Sequence, residues 1–207
     1  MIADTAKLLF QCTYGSKAHG TFTDKSDTDE RFVYIDRQKF STYFERDSQA
    51  QRWDIRNFLL SCFRGIPFEL ETLYAPKHCF TVPLCSELQN LITENVFCSK
   101  QVIYKYRDTA IVKIVQHRAS KDPKSAYHAI RILLECEHMI KNHSGPRVFV
   151  GEDKEMLMEI KTGKMAASKI QVIFDDIYNK TDVPNDLPRQ PNMELLWETC
   201  QTLLKKL

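Results

Sequence analysis

The chain has 207 residues, 43% of them apolar and 27% charged, with a formal charge of +2. That length bounds it to one ordinary domain or two small lobes with enough residues for a real core, and six glycines with eight prolines exclude collagen-like or long disordered segments. A charge so near neutrality neither demands nor excludes nucleic acid, and no run approaches 18 apolar residues, so no membrane span is expected.

The opening MIADTAKLLFQC lacks the basic flank and long apolar run of a secretory signal. Seven cysteines, an odd and scattered set, read as reduced buried thiols in a cytoplasmic protein. His78, Cys79 and Cys85 lie close together, but no Cys-x-x-Cys pair accompanies them, so structural zinc is not expected. Residues 8–13 predict a first strand that ends at Tyr14-Gly15-Ser16. Residues 17–26 are polar and carry two turn-formers, Gly20 and Asp24. Residues 31–35, RFVYI, are β-branched and aromatic and predict a second strand, and residues 51–54 a short third. Residues 57–64 predict a helix that stops near Gly65-Ile66-Pro67. The first third therefore reads as a small α/β unit.

From Pro83 onward the pattern turns helical, with helices expected over 84–94, 99–119, 123–142, 153–162, 166–180 and 192–206. Asp122-Pro123 suits an N-cap and first turn, Gly145-Pro146 a stop, and Asn192 a cap for the last helix. A break near residue 95 divides the chain into lobes 1–95 and 96–207. Between residues 100 and 131 stand eight Lys/Arg against Asp108 and Asp122. Such a run is either a solvated set of helix faces or a phosphate-binding wall.

Asp27 and Asp29 carry the sharpest chemical signal. A strand's period of two puts both on one face. Close carboxylates oppose each other's ionisation unless a cation lies between them. Mg²⁺ takes one or two carboxylates and leaves its other positions to water and phosphate. Gly15-Ser16 lies upstream at a strand end, where glycine allows a tight turn whose amides can face an anion. An EF-hand from Asp24 fails, since Asp29 and Ile35 stand where Gly and Glu are required. A P-loop at Gly163-Lys164 fails because Met158 replaces its first glycine. Asp54 is open to two readings, a third carboxylate ligand or an N-cap for the following helix. On the 123–142 helix, Lys124, His128, Arg131, Glu135, His138 and Asn142 fall on one stripe. Its first half is cationic, so it is either a wet outer face or the lining of a cleft for an anion.

Gly-Ser followed by Asp-x-Asp and a strand resembles the signature of the DNA polymerase beta-type nucleotidyltransferase superfamily, and in particular its minimal predicted-nucleotidyltransferase branch of bacteria and phages. The matching residues are Gly15, Ser16, Lys17, Gly20, Ser26, Asp27, Asp29 and Arg31. Segments 53–76, 124–135 and 152–170 continue the likeness in the same order. Lys17 replaces an expected Arg and Ile66 an expected Asn. The resemblance implies an α+β fold, with an N-terminal nucleotidyltransferase lobe built on a small mixed sheet and a mainly helical C-terminal lobe that closes the cleft. It implies that Gly15, Ser16 and Lys17 meet the triphosphate, that Lys124, His128 and Arg131 lie over it, and that Asp27 and Asp29 hold two Mg²⁺ ions. Asp54 would be the third ligand or the base. The implied reaction transfers NMP from an NTP to an acceptor hydroxyl, on an RNA or tRNA end or on a protein or small molecule, and releases pyrophosphate. The alternative from the same residues is a catalytically idle nucleotide- or RNA-binding module.

Overall fold

The computed structural model describes residues 6–24, 26–36, 45–47 and 50–207. Five strands form one mixed sheet in the order β3-β4-β2-β1-β5: β1 Lys7–Tyr14, β2 Asp29–Ile35, β3 Glu45–Asp47, β4 Ala50–Asp54 and β5 Phe80–Val82. β1 pairs antiparallel with β2 and β5, β2 runs parallel to β4, and β3 is antiparallel to β4. Register decides what the sheet does. Phe10 stands opposite Val33, Cys12 opposite Arg31 and Tyr14 opposite Asp29. Paired residues share a face, so one face is dry at Phe10 and Val33 and polar at Asp29.

The helices are α1 Ser16–His19, α2 Ile55–Phe63, α3 Pro67–Leu73, α4 Ser86–Thr93, α5 Lys100–Ser120, α6 Pro123–Asn142, α7 Lys154–Lys161, α8 Ala167–Asn179 and α9 Met193–Lys205. In α2, Ile55, Phe58, Leu59 and Cys62 form the buried stripe, and Phe58 meets Phe10 edge-on at 5.5 Å between ring centroids. α6 is buried almost all round, with Ala126, Ile130, Leu133 and Met139 fully enclosed. It is the central helix, against which α5, α7 and α8 pack. One apolar cluster runs from Phe10 in β1 to Leu203 in α9.

The expected α+β class, the three early strands and all six later helices are present. Asp122 accepts from the amides of Lys124 and Ser125, and Asn192 from that of Leu195. Elements too short to show periodicity escaped the sequence reading: α1, α3, β3 and β5. The stop at Gly65-Ile66-Pro67 is also a start, because Pro67 occupies the first turn of α3. α6 ends earlier than Gly145, at His143, which adopts a left-handed φ of 47°. All seven cysteines are free thiols, and burial pushes Cys12 and Cys136 up to about 12. Among the described residues, no helix is long and apolar enough to cross a membrane.

Gly145 has a different task from stopping a helix. A Cβ there would lie 2.0 Å from the Tyr74 ring. The segment after α6 is thus pressed against the end of α3, and it carries Val148, which holds α1. Gly145→Ala is expected to cost about 1–3 kcal/mol through overpacking, read as a lower urea midpoint with unchanged slope. An unmoved midpoint would show that Tyr74 does not pack there.

Candidate active site

The site begins with one turn. β1 ends at Tyr14, and Gly15 follows with φ 67°, a conformation costly for any residue with a side chain. The chain then makes the single helical turn Ser16–His19, and the first amides of such a turn have no acceptor within it. Because Tyr14 pairs with Asp29, the second aspartate comes to rest against this turn. A Cβ on residue 15 would stand 2.8 Å from Asp29 Oδ2. Glycine is therefore needed twice here, for its backbone angle and for the space the carboxylate fills. Lys17 donates to Thr28 Oγ1 at 2.6 Å. Thr28 is the residue between the two aspartates, so Lys17 ties the Asp-x-Asp segment to α1.

A cleft of about 580 Å³ opens over this turn. Gly15, Ser16, Asp27 and Asp29 form one wall, and Lys124, His128 and Arg131 of α6 form the other. The structure thus brings seven of the nine expected site residues to one cleft. Lys17 is outside its lining and holds Thr28 instead. Asp54 is outside it too, for a reason set by strand period. Gln51 lines the cleft, and Asp54, three residues on, pairs with Tyr34 on the opposite face. Asp54 caps α2, accepting from the amide of Arg56 at 2.9 Å and from its guanidinium at 2.7 and 2.6 Å. Of its two readings, the cap is the one its geometry displays. No third carboxylate reaches the cleft from β4.

Beneath the cleft lies a buried charge cluster. Arg131 is 1% exposed. Its Nη1 pairs with Glu71 of α3 at 2.9 Å and with Glu135 one turn along α6. His19 Nδ1 donates to the carbonyl of Val148 at 2.8 Å, and its Nε2 faces Glu71 Oε2 at 3.2 Å. Burial works against the Arg131 charge, but Glu71 and Glu135 outweigh it and raise its pKa. Burial would lift Glu71, yet Arg131 and His19 bring it down to about 2. Burial and then the Glu71 charge push Glu135 well up. For His19, burial and Arg131 oppose a positive ring while the Glu71 contact favours one. Within the cluster Arg131 and Glu71 are therefore held charged, while burial works against charge on Glu135 and on His19. Arg131 Nε and Nη2 remain buried without a hydrogen-bond partner among the described residues, so donors are left over beside the cleft.

The cluster's His19, Glu71 and Glu135 bring ligand atoms within 4.8 Å of one another. They do not suit a cation, because Arg131 already occupies both carboxylates. Asp27 and Asp29 suit one better, with hard oxygen ligands beside a turn that leaves space for phosphate. Several cleft residues escaped the sequence reading. Lys161 of α7 lines the cleft and donates to the Thr21 carbonyl at 2.8 Å. Tyr127 does so from α6, its hydroxyl 2.7 Å from that of Thr21. Gln51, Glu69 and Glu71 also contribute. Spacing gives no signal for these residues, since only the fold brings β4, α3 and α7 together. Arg31, part of the Gly-Ser and Asp-x-Asp signature, lines the cleft too; it is buried, its guanidinium donating to the Phe68 carbonyl, Thr72 and Gln51.

Two measurements test this electrostatic picture. Glu71 faces both His19 and Arg131, so Glu71→Gln is expected to cost roughly 3 kcal/mol in urea unfolding. Glu135→Gln should cost under about 1.5 kcal/mol, and the reverse order would show that Glu135 rather than Glu71 carries the charge. Burial and then Arg131 lower His128 from 6.5 to about 3. The unfolded chain therefore takes up a proton that the native ring refuses. Its stabilising contribution is complete above pH 6.5 and is lost as pH falls towards 3. His128→Gln should flatten the pH dependence of stability across that window; an unaltered slope would mean a solvated ring.

No curated protein and no solved structure matches the chain. The family model described as the RNA repair pathway DNA polymerase beta family, RlaP, matches residues 2–171. That span holds every residue of the cleft, from the Gly15 turn to Lys161. The chain belongs to this family, and with it to the nucleotidyltransferase enzymes of the DNA polymerase beta-type superfamily.

Proposed function

We propose that the protein transfers NMP from an NTP to a hydroxyl at an RNA end, in a Mg²⁺-dependent reaction that releases pyrophosphate. One observation carries the reading: Asp27 and Asp29 face the same cleft as the Gly15-Ser16 turn, with Asp29 against the turn itself. The family description, which names an RNA repair pathway, supports the acceptor. Residues 1–95 supply the turn and the carboxylates, and residues 96–207 supply the opposing wall.

In this reading Asp27 and Asp29 hold Mg²⁺, which when bound neutralises phosphate charge and orients the phosphates for in-line displacement. The turn at Gly15-Ser16 presents amides and one hydroxyl to the terminal phosphates. Lys124 and the unpartnered nitrogens of Arg131 add positive charge from across the cleft. His128, kept neutral by burial, lines the cleft as an uncharged ring. The acceptor hydroxyl oxygen attacks the α-phosphorus as its proton passes to water, and the bond to the bridging oxygen of the leaving pyrophosphate breaks. Asp54, held at both oxygens by Arg56, takes no part.

The test is incubation with labelled NTP, Mg²⁺ and tRNA, and separately with cell lysate. Asp27→Asn and Asp29→Asn are each expected to lower transfer to RNA by roughly 100-fold or more while leaving the urea midpoint unchanged. Undiminished transfer in both variants would remove the carboxylate assignment. Label retained on protease-sensitive material would replace the RNA acceptor by a protein one.

A further inference from the structure

A second cationic surface lies outside the cleft, at the start of α5. Loop residues Pro188 and Arg189 direct their carbonyls at the amides of Lys100 and Gln101, at 2.9 and 3.1 Å. This docking builds a groove lined by Lys100, Gln101, Tyr104, Arg189 and Gln190. A second groove shares Gln101 and Tyr104 and adds Arg64, Lys105 and Asp108. Gln101 joins the floor to α2 by donating to the Phe63 carbonyl at 2.7 Å. Four cations therefore stand around one aromatic ring, and among the described residues Asp108 is the only acid lining either groove. Among the described residues, none of these four side chains forms an ion pair. Tyr104 is 54% exposed, uncommon for so large a side chain on a helix that buries Tyr106 completely.

We infer that this surface, centred on Tyr104, binds a single-stranded stretch of the RNA whose end enters the cleft. Unpaired guanidinium and ammonium groups suit phosphates, and an exposed ring among them is a stacking platform for a base. An acidic protein surface would use the charges and leave the ring idle. α5 itself connects the two regions: it runs roughly 30 Å from Lys100 in the groove to Ser120, and Lys124 of the cleft lining follows four residues on. The inference rests on the proposed RNA acceptor and adds where its body is held.

The experiment uses the full chain, a labelled 12-nucleotide single-stranded RNA read by fluorescence anisotropy, and a dinucleotide acceptor too short to span groove and cleft. Tyr104→Ala is expected to weaken RNA binding about 10-fold, and the pair Arg64→Gln with Arg189→Gln to reduce the slope of log K against log salt by roughly 1.4. Transfer to the dinucleotide should be unchanged in both, with the urea midpoint confirming the fold. Equal RNA affinity in wild type and variants would overturn the inference. So would equal loss of polyglutamate and RNA binding in the Arg pair with no effect of Tyr104→Ala, which would mark the surface as one for acidic protein. Groove-dependent RNA binding without transfer by the wild type to either acceptor would sink the proposed reaction and leave the RNA surface standing.

Discussion

Arg131 is the residue on which the cleft depends. Its guanidinium is buried between carboxylates from two helices, and Glu71 passes the connection on to His19 and through it to Val148. Four separate pieces of chain are fixed by that one charge: α3, α6, α1 and the segment after α6. Taking a charge out of water is expensive, and replacing such clusters by apolar side chains is often no loss in stability. What an apolar replacement could not supply here is direction. Arg131 spends one nitrogen on the carboxylates and leaves Nε and Nη2 over, so the group that ties the helices also lends its field to the cleft.

The two walls therefore differ in character. The sheet wall carries acidic oxygens on a turn whose shape is dictated by Gly15 and by the pairing of Tyr14 with Asp29. The α6 wall carries cations, a neutral imidazole and Tyr127, with Phe68 of α3 edge-to-face with His128 beside it. A polyanion between them meets positive charge on one side and needs a cation on the other.

Much of this was legible in the sequence, because it depends on local pattern. Long helices such as 99–119 and 123–142 declare themselves by length, caps and period, and Asp27 and Asp29 by their spacing. The α6 stripe was legible as a line but not as a path. Lys124 is exposed at the mouth, His128 half-buried, and Arg131 and Glu135 enclosed, a descent that only tertiary packing creates. Asp54 shows how one residue of register matters: Gln51 and Trp53 share the cleft face of β4, and Asp54 turns to the other. His19 and Glu71 looked like ordinary polar residues, since their meeting depends on α1 and α3, two elements too short to carry a periodic signal.

The bond between His19 and Val148 spans 129 positions of chain, and that between Lys161 and Thr21 spans 140. Contacts of such range form only after the intervening chain has been made and its loop entropy overcome. At a synthesis rate of about 5–20 residues per second, the Gly15 turn and its aspartates leave the ribosome many seconds before the partners that fix them. The nascent chain thus carries the acidic wall without the cationic one, and the cleft is completed only when α7 has been added.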